Sequence, residues 1–390
     1  MKKIIILGGG FAGVEAAIKL SKHKNEVILI SDREYLFMYP VSIWVPTGKK
    51  KFDDLKISLK ALASKHGFQV LMEKVVRIDS ERNTVITMNQ EHSYDYVVLA
   101  LGMSKLKAMG LEHTHSICGK PDEALIIKEE LAKIVERGYG RIVVGFGGNP
   151  KDPTATGVRG GPAFELLFNF SHYLKQKGLR DKVQLIFVAP MKDQGRRMGE
   201  KPYQKLDLFF KRYRVEKQIG KKITGFAEGK VLFEDKTELQ GDLIVYIPAG
   251  DGHPVVKNSP SIPVTEAGFV KINELCRVDG IQNMYAIGDI AAISGPTWAA
   301  KQGHIAEVMA DTAVFNIQNE IQFKGKRKSY WEHLNIICVM DSGDGAAFIK
   351  RTRTKELIVP LPIIGHWLKK GWGFYYKNSK LKRIPRIPGM

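Results

Sequence analysis

The alternation of apolar and polar stretches along the chain predicts strands that are buried on both faces, separated by helices. Ile4-Ile5-Ile6-Leu7 is an unbroken apolar run of β-forming residues, which is typical of a strand in a covered parallel sheet. A helix over Val14 to Ser21 and a second strand over Glu26 to Ile30 follow it. Strands alternating with helices indicate an α/β fold.

The same alternation continues and then begins again. Leu55 to Lys65 predicts an amphipathic helix, and Val70 to Asp79 and Tyr94 to Ala100 predict strands. A second strand–helix unit starts near residue 105, with strands at Arg141 to Val144, Val183 to Val188 and Leu239 to Ile247. We therefore predict two Rossmann-like domains, the first formed by 1–105 with 250–320 and the second by 106–249, followed by a C-terminal region over 321–390.

A glycine-rich turn follows the first strand directly. Gly8-Gly9-Gly10-Phe11-Ala12-Gly13 has the spacing G-x-G-x-x-G, in which the glycines allow a tight turn, a close approach to a pyrophosphate and close packing of the next helix. Ser31-Asp32 ends the second strand, where a polar group can bind a ribose hydroxyl. This context favours a dinucleotide site over a turn without a ligand.

A second signal lies near residue 288. The strand within 283–287 ends at Gly288-Asp289, and a helix containing Lys301-Gln302 follows. An aspartate at this corner can bind a ribityl chain, and the start of the helix can face an anionic ring edge. Together with the first turn, this corner indicates FAD rather than NAD.

The second glycine group lacks the features of a working nicotinamide site. Gly145-Phe146-Gly147-Gly148 is followed by a long polar loop over 149–161, and the next helix starts only near Pro162. No acid closes the strand at 183–188, which ends in Ala189-Pro190. We interpret this half as a dinucleotide-type fold whose nucleotide site is dismantled.

The charge of the chain is unusual and uneven. The 390 residues carry 60 Lys and Arg against 41 Asp and Glu, a net charge of +19, and from Arg351 onward ten basic residues face the single Glu356. This balance suggests an anionic partner. The fingerprint strand starts too early for a cleavable signal, and no apolar stretch is long enough to span a bilayer, so we expect a cytoplasmic location.

The basic C-terminal end also carries apolar and aromatic residues. Over 360–382, Trp367, Trp372 and Phe374 alternate with lysines, a composition that is typical of a segment lying in the interface of an anionic membrane. Nucleic acid is the competing partner, but no nucleic-acid module accompanies the segment, so none is predicted. A solvated helix face is the alternative for the last ten residues.

An aromatic loop follows the second strand. Tyr35 to Pro40 and Trp44 to Gly48 are rich in aromatic residues and proline and offer a place to pack a flat ring. A plain surface loop is the alternative.

These residues together resemble the two-dinucleotide-binding-domain flavoproteins, and within them the sulfide:quinone oxidoreductases and flavocytochrome c relatives. The resemblance runs from residue 1 to about 380. It is carried by Val27 to Asp32 with Tyr35-Leu36-Phe37, Ser116-Ile117-Cys118, Gly161 to Glu165, Lys301-Gln302-Gly303, and Asn335 to Cys338 continuing through Asp341 to Phe348.

The resemblance implies a glutathione reductase-like fold, bound FAD and electron transfer from sulfide to a membrane quinone. Cys338 matches one of two redox cysteines, Phe348 matches a quinone-pocket residue, and Cys118 matches a third cysteine that some members tether to the flavin. Arg159-Gly160 stands where the second redox cysteine is expected. The usual disulfide cycle therefore requires Cys118 to come within reach of Cys338.

The predicted catalytic residues are Cys338, Cys118, Glu165 and Arg159, with Arg159 as a cation that lowers the pKa of Cys338 or binds an anionic substrate. The alternatives are an inert buried Cys338 and a solvated first-turn Glu165. Cys276 matches nothing in the family and is predicted to be a small buried hydrophobe. The predicted cofactor contacts are Gly8, Gly10, Phe11, Ala12, Gly13, Ser31, Asp32, Val75, Ala100, Gly102, Gly288, Asp289, Lys301 and Gln302.

The first functional hypothesis is an FAD-dependent oxidoreductase, peripheral on the cytoplasmic face of the membrane, that passes electrons from sulfide or a related small sulfur species to quinone. A type II NADH:quinone oxidoreductase is the second, and a non-catalytic flavoprotein of the same fold is the third. No metal site is predicted, and a homo-oligomeric assembly stays open.

Overall fold

The computed structural model describes residues 1–387 and has the predicted α/β fold. The last three residues of the predicted C-terminal region, 388–390, lie outside the described residues. The strands are β1 Lys2–Leu7, β2 Asn25–Ser31, β3 Tyr35–Phe37, β4 Lys56–Ser58, β5 Gln69–Met72, β6 Val75–Asp79, β7 Thr84–Thr87, β8 Glu91–Ser93, β9 Tyr96–Leu99, β10 Ser104–Lys105, β11 Gly140–Phe146, β12 Val183–Ala189, β13 Val215–Ile219, β14 Ile223–Ala227, β15 Lys230–Phe233, β16 Glu238–Gln240, β17 Leu243–Ile247, β18 Gly250–Asp251, β19 Val270–Lys271, β20 Met284–Ala286, β21 Ala291–Ala292, β22 Ile336–Asp341, β23 Gly345–Arg351 and β24 Glu356–Pro362. The helices are α1 Phe11–Leu20, α2 Leu59–His66, α3 Glu123–Arg137, α4 Gly161–Gln176, α5 Glu200–Arg212, α6 Pro254–Lys257, α7 Gly303–Ile321 and α8 Ile364–Lys380.

The first sheet contains the strands that the glycine-rich turn follows. Its order is β20-β9-β1-β2-β5, and all neighbouring strands are parallel. Ile4, Ile5, Ile6 and Leu7 of the central strand are fully buried, as the unbroken apolar run predicts for a covered sheet. Strand β20 comes from far along the chain, so the corner at Gly288-Asp289 lies at the same carboxyl edge as the glycine-rich turn.

The second sheet repeats this design with parallel strands in the order β13-β12-β11-β17. Helix α4 packs on it after the long loop over 147–160. Two parallel sheets of this kind are the architecture that the sequence predicts. The positions of the domain boundaries stay a prediction.

A third, antiparallel sheet consists of β22, β23 and β24. Helix α8 follows it and packs back against all three strands and against the 3-10 turn Tyr39–Trp44. Ile363, which joins β24 to α8, has φ 61° and ψ −59°, a conformation that a β-branched residue rarely adopts. The C-terminal helix is therefore part of the packed fold.

Several predicted elements have different limits because local hydrogen bonds or a change of sheet interrupt them. Helix α2 begins at Leu59 because the Ser58 hydroxyl accepts a hydrogen bond from Ala61 N, at 3.2 Å, and caps the helix. The strand predicted over 70–79 is two strands, since β5 pairs with β2 and β6 pairs with β7. The strand predicted over 239–247 is likewise divided between β16 and β17, which belong to different sheets.

The aromatic loop is neither a plain surface loop nor wholly exposed to the cavity described below. Val41, Ile43, Trp44 and Val45 are each at most 1% exposed. The Trp44 indole Nε1 donates to Asp341 Oδ1 at 3.0 Å. The loop thus joins the first domain to the third sheet, and only its Tyr39 and Pro40 line the cavity.

Candidate active site

The glycine-rich turn has the close contacts that require glycine. Gly8 has φ 113°, and a Cβ atom there would lie 2.3 Å from the Ala100 carbonyl oxygen. A Cβ atom at Gly13 would lie 1.9 Å from the Gly8 oxygen. Any larger residue would push α1 away from β1 and β9, so these two glycines are needed for the turn itself.

The space around this turn fits a dinucleotide. Gly10 faces an opening, because a Cβ atom there would meet nothing within 4 Å, and no side chain caps the first turn of α1. The amide groups of a free helix start bind phosphate. The buried Gln302 Oε1 has no hydrogen-bond partner within residues 1–387, and it lies beside the start of α7. These residues, with Phe11, Ala12, Gly288 and Asp289, would hold FAD.

The remaining predicted cofactor residues differ in their burial and in whether their side chains already form hydrogen bonds. Ser31 is buried, and its hydroxyl donates to Arg33 O at 2.8 Å, whereas Asp32 is exposed. Val75 is buried at the start of β6. Gly102, beyond Ala100, has φ 77° and faces open space. Of the Ser31-Asp32 pair, Asp32 is the side chain that is free to bind a ribose hydroxyl.

Lys301 holds the backbone of the Gly288-Asp289 corner through hydrogen bonds. Its ammonium donates to Asp289 O at 2.9 Å and to Ala291 O, and lies 4.0 Å from the Phe269 ring centroid. Burial lowers the pKa of Lys301 to about 8, against the opposing effect of Asp289. Lys301 therefore holds the backbone of this corner in place, and both Lys301 and Gln302 line the cavity described below.

One cavity of about 1590 Å³ brings the predicted catalytic residues together. Its walls include Cys338, Cys118, Arg159 and Glu165. The three cysteines are free within residues 1–387, so Cys118 and Cys338 share the cavity as thiols without a disulfide between them. Cys276 is fully buried in the core, as predicted.

The surroundings of Cys338 are not cationic overall. Burial, and secondly the Glu165 carboxylate, raise the pKa of the Cys338 thiol to about 12, and Lys369 opposes them. The expectation that neighbouring cations lower this pKa is therefore wrong. Cys338 is a neutral thiol at pH 7 and needs a base to become a nucleophile.

Arg159 interacts with residues other than Cys338. Its guanidinium forms an ion pair with Asp289. Burial lowers the pKa of Arg159, but Asp289 and then Cys118 raise it, and the balance is a raised pKa. Arg159 thus links the predicted ribityl-binding corner to Cys118, and the predicted role of activating Cys338 does not fit this position.

Glu165 is buried, so the alternative of a solvated first-turn carboxylate is wrong. It is 5% exposed, and its Oε1 accepts hydrogen bonds from Asp341 N at 2.9 Å and from Lys369 Nζ at 2.5 Å. Lys369 was not among the predicted site residues. It lies in the basic C-terminal segment, where the sequence suggests a lysine in solvent.

Helix α8 divides that segment into two faces. Its inner face buries Gly365, Lys369, Gly373, Tyr376 and Lys380. Lys369 and Lys380 therefore do not face a membrane, which corrects the prediction for these two lysines.

The outer face of α8 is apolar. Ile364, Trp367, Leu368 and Phe374 are 51% to 64% exposed, and the Lys370 ammonium lies 4.9 Å from the Trp367 ring centroid. Gly365, Lys369 and Gly373 follow one another at intervals of four residues. This spacing is the signal in the sequence that they lie on one face of the helix. No helix within residues 1–387 has the length and apolar character needed to cross a bilayer.

The far end of α8 is held by a second buried cluster. Lys380 pairs with Glu15 of α1 and, at 2.7 Å, with Glu307 of α7. Burial would raise the pKa of Glu15, but Lys380 and Arg386 lower it to about 2. Sequence reasoning did not single out these residues, which line the same cavity as Cys338.

Phe348 lies apart from this cavity. It sits within β23, paired with Val339 and Val359, and it is not among the cavity-lining side chains in the described part of the chain. Its predicted contact with a quinone stays a prediction.

Comparison with known proteins agrees with this architecture. A family model described as pyridine nucleotide-disulphide oxidoreductase matches residues 2–312. Sulfide-quinone reductase of Aquifex aeolicus is 27% identical over 398 residues, covering 97% of this chain and 89% of that protein. Type II NADH:quinone oxidoreductase of Staphylococcus aureus is 21% identical over 411 residues, covering 95% and 98%.

Solved structures show the same fold. The sulfide:quinone oxidoreductase of Aquifex aeolicus has a TM-score of 0.87 and 23% identity, with 98% of this chain and 92% of that chain covered. NDH2 of Plasmodium falciparum, solved with RYL-552, has a TM-score of 0.76 and 15% identity, with 99% of each chain covered. The predicted resemblance and the predicted two-domain fold class are confirmed. The chain belongs to the pyridine nucleotide-disulphide oxidoreductase family and is an FAD-dependent oxidoreductase.

Proposed function

We propose that this chain oxidises sulfide, or a related small sulfur species, and passes two electrons through FAD to a membrane quinone. The observation that carries the proposal is the position of Cys338. Its thiol lines a cavity beside a buried carboxylate, Glu165, and the same cavity extends to α8. The thiol and the base suit reaction with a sulfur donor, and the apolar helix suits the approach of a quinone acceptor. Both substrates would exchange electrons with the same FAD, from different sides of the cavity.

On the donor side, Cys338 and Glu165 act together. The neutral Cys338 thiol must lose a proton before it can bond to sulfur, and Glu165 is the buried carboxylate close enough to raise its pKa. Glu165 takes this proton at the cavity wall. FAD, when bound, supplies the two-electron chemistry that the side chains lack.

Arg159 stands where the second redox cysteine is expected, and Cys118 is the other thiol that lines the cavity. Arg159 lies on the wall of the cavity that Cys338 lines, with further Lys and Arg side chains that outnumber the Asp and Glu side chains there, and this excess of positive charge favours entry of an anion such as hydrosulfide. Cys118 is the second thiol on the cavity wall. Its contribution is proposed as acceptance of sulfur or attachment of the flavin.

On the acceptor side, α8 provides the membrane contact. Trp372, Tyr375 and Tyr376 line the cavity, whereas Trp367, Leu368 and Phe374 are exposed on the outer face. An apolar face flanked by lysines binds the interface of an anionic bilayer. A quinone dissolved in that bilayer then enters between the helix and the cofactor site. The relatives named as quinone oxidoreductases support this acceptor.

NADH is a less suitable donor on structural grounds. A Cβ atom at Gly147 would lie 2.2 Å from the Tyr246 hydroxyl, so this phenol occupies the approach that a nucleotide needs. The following loop is held inward by Asn149, whose amide donates to Gly250 O at 2.9 Å. Both contacts support a second domain that does not bind nicotinamide nucleotide.

The test is anaerobic flavin absorbance of the purified, FAD-loaded protein, with sulfide in one cuvette and NADH in another, followed by a soluble quinone. The proposal predicts bleaching by sulfide and recovery with quinone. Bleaching by NADH alone would establish the second hypothesis, an NADH:quinone oxidoreductase. If no donor bleaches the flavin, the chain is the non-catalytic flavoprotein.

A further inference from the structure

The contact between α8 and the thiol side of the cavity depends on one buried ion pair. Lys369 extends from the inner face of α8 to Glu165 on α4, with Nζ and Oε1 separated by 2.5 Å. The exposed fractions of the two side chains are 8% and 7%. A buried ion pair of this kind is costly to dehydrate and is strongly disturbed when one partner is removed.

The charged groups around this pair come from three elements. Asp341 of β22 donates its backbone N–H to the same Glu165 oxygen, and its carboxylate accepts from His366 Nδ1 at 2.7 Å. His366 lies one turn before Lys369 on α8. Lys369 is thus the cation that faces Glu165, while His366 and Trp44 engage the neighbouring Asp341.

We propose that Lys369 is a positioning residue that holds Glu165 as a carboxylate beside Cys338. Without a cation, a carboxyl group at this depth takes up a proton, because burial disfavours the charged form. A protonated Glu165 cannot accept the proton of the Cys338 thiol. Lys369 acts through Glu165 and does not itself receive the thiol proton. The inference rests on the proposed role of Cys338 as the donor-side nucleophile.

The direction of the effect follows from the environment of Glu165. Burial raises its pKa, Lys369 acts in the opposite direction, and the balance is a raised pKa that would be higher still without Lys369. Replacing Lys369 by methionine keeps the length of the side chain and removes the charge. The pKa of Glu165 is then expected to rise further, because the opposite charge at close range is gone.

A matched control lies on the same helix. Lys380 is also buried on the inner face, but its partners are Glu15 and Glu307, whereas the charges that act on the Cys338 thiol are those of Glu165 and Lys369. Lys380→Met therefore disturbs the seating of α8 without removing the cation next to Glu165. Lys369→Arg keeps the charge in place.

The experiment is infrared difference spectroscopy of the FAD-loaded protein with ¹³C-labelled glutamate, so that glutamate carboxyl bands are separated from flavin carbonyl bands. At neutral pH, Lys369→Met is expected to show the C=O band of a protonated glutamate, and Lys369→Met/Glu165→Gln is expected to lack it. Lys369→Arg is expected to resemble the parent. Lys380→Met leaves the buried Glu15 without its lysine, so any glutamate band in that variant is expected to persist in Lys380→Met/Glu165→Gln.

Two results would overturn the inference. One is the absence of the band in Lys369→Met, and the other is a band in Lys380→Met that disappears in Lys380→Met/Glu165→Gln, which would assign protonation of Glu165 to helix seating. The readout needs no sulfur donor. If the band pattern is as expected and sulfide still fails to bleach the flavin, the positioning role stands and the proposed function falls.

Discussion

The ring of Phe11 packs against the ring of Tyr376, with the two centroids 5.1 Å apart. Phe11 belongs to the glycine-rich turn and Tyr376 to the inner face of α8. The Tyr376 hydroxyl also donates to Glu307 Oε1 of α7 at 2.9 Å. The C-terminal helix is therefore seated directly on the two helices whose starts form the cofactor site.

We expect Tyr376→Ala to destabilise the protein and to weaken retention of FAD. The substitution removes a buried ring and a partly buried hydrogen bond, a loss of about 3–5 kcal/mol for large aromatic side chains. Thermal unfolding and the flavin content after gel filtration measure both effects. Phe374→Ala is the matched control, since Phe374 is 64% exposed on the same helix. Equal losses in the two variants would contradict this account of the Phe11–Tyr376 contact.

Substitutions on the outer face of α8 are expected to weaken membrane binding and to leave the stability of the protein nearly unchanged. Trp367→Ser and Phe374→Ser are expected to reduce binding to vesicles of anionic lipid about tenfold or more, because each removes apolar area from the interface. Their thermal unfolding is expected to change little. Co-sedimentation with vesicles measures the binding. Met88→Ser is the control, since Met88 is 70% exposed in another part of the fold, and unchanged binding in both α8 variants would rule out this face.

The Lys380–Glu15 cluster predicts an acid-dependent loss of stability. The pKa of Glu15 is lowered from 4.5 to about 2, so its ionised form is favoured in the folded state. This contribution is complete above about pH 4.5 and is lost as the pH falls towards 2. In Glu15→Gln, the free energy of unfolding should decline less steeply over that interval, as measured by urea unfolding at several pH values. Parallel pH profiles for the two proteins would show that Glu15 contributes nothing to acid sensitivity.

Glu165 should also control the reactivity of the Cys338 thiol. Glu165→Gln removes a carboxylate that raises the pKa of Cys338 and leaves Lys369, which lowers it. The thiolate fraction at pH 8, and with it the rate of alkylation by iodoacetamide, should rise about three- to tenfold. Peptide mass spectrometry follows each cysteine separately, and the fully buried Cys276 is the internal control. An unchanged rate would contradict an influence of Glu165 on the thiol, and a slower rate would show that acceptance of the thiol proton by Glu165 outweighs its effect on the pKa of Cys338.

The parts of the site that local sequence determines were predictable. Gly8 and Gly13 are required by contacts with their immediate strand neighbours, and the apolar run Ile4 to Leu7 is buried as a covered strand must be. The Gly13 contact with Gly8 and the burial of the apolar run depend on local spacing, and the Gly8 contact with Ala100 follows from the pairing of neighbouring strands. The corner at Gly288-Asp289 was predictable for the same reason.

The buried ion pairs were beyond local reasoning. Lys369 and Glu165 are 204 residues apart, and Lys380 and Glu15 are 365 residues apart. A lysine in a basic segment is expected in solvent, and only packing of α8 on three distant elements reverses this. The same packing places the Glu165 carboxylate beside Cys338, so the pKa of this thiol is raised, whereas the sequence suggested that a cation such as Arg159 lowers it.

The most direct test of the central claim, that electrons from sulfide enter through Cys338, is anaerobic flavin reduction in the parent and in Cys338→Ser. Both proteins are loaded with FAD, mixed with sulfide, and then given a soluble quinone, with Cys276→Ser as the control for loss of a cysteine. The account predicts rapid bleaching and quinone-driven recovery in the parent and in Cys276→Ser, and no bleaching in Cys338→Ser. Bleaching of Cys338→Ser at the parental rate would contradict it.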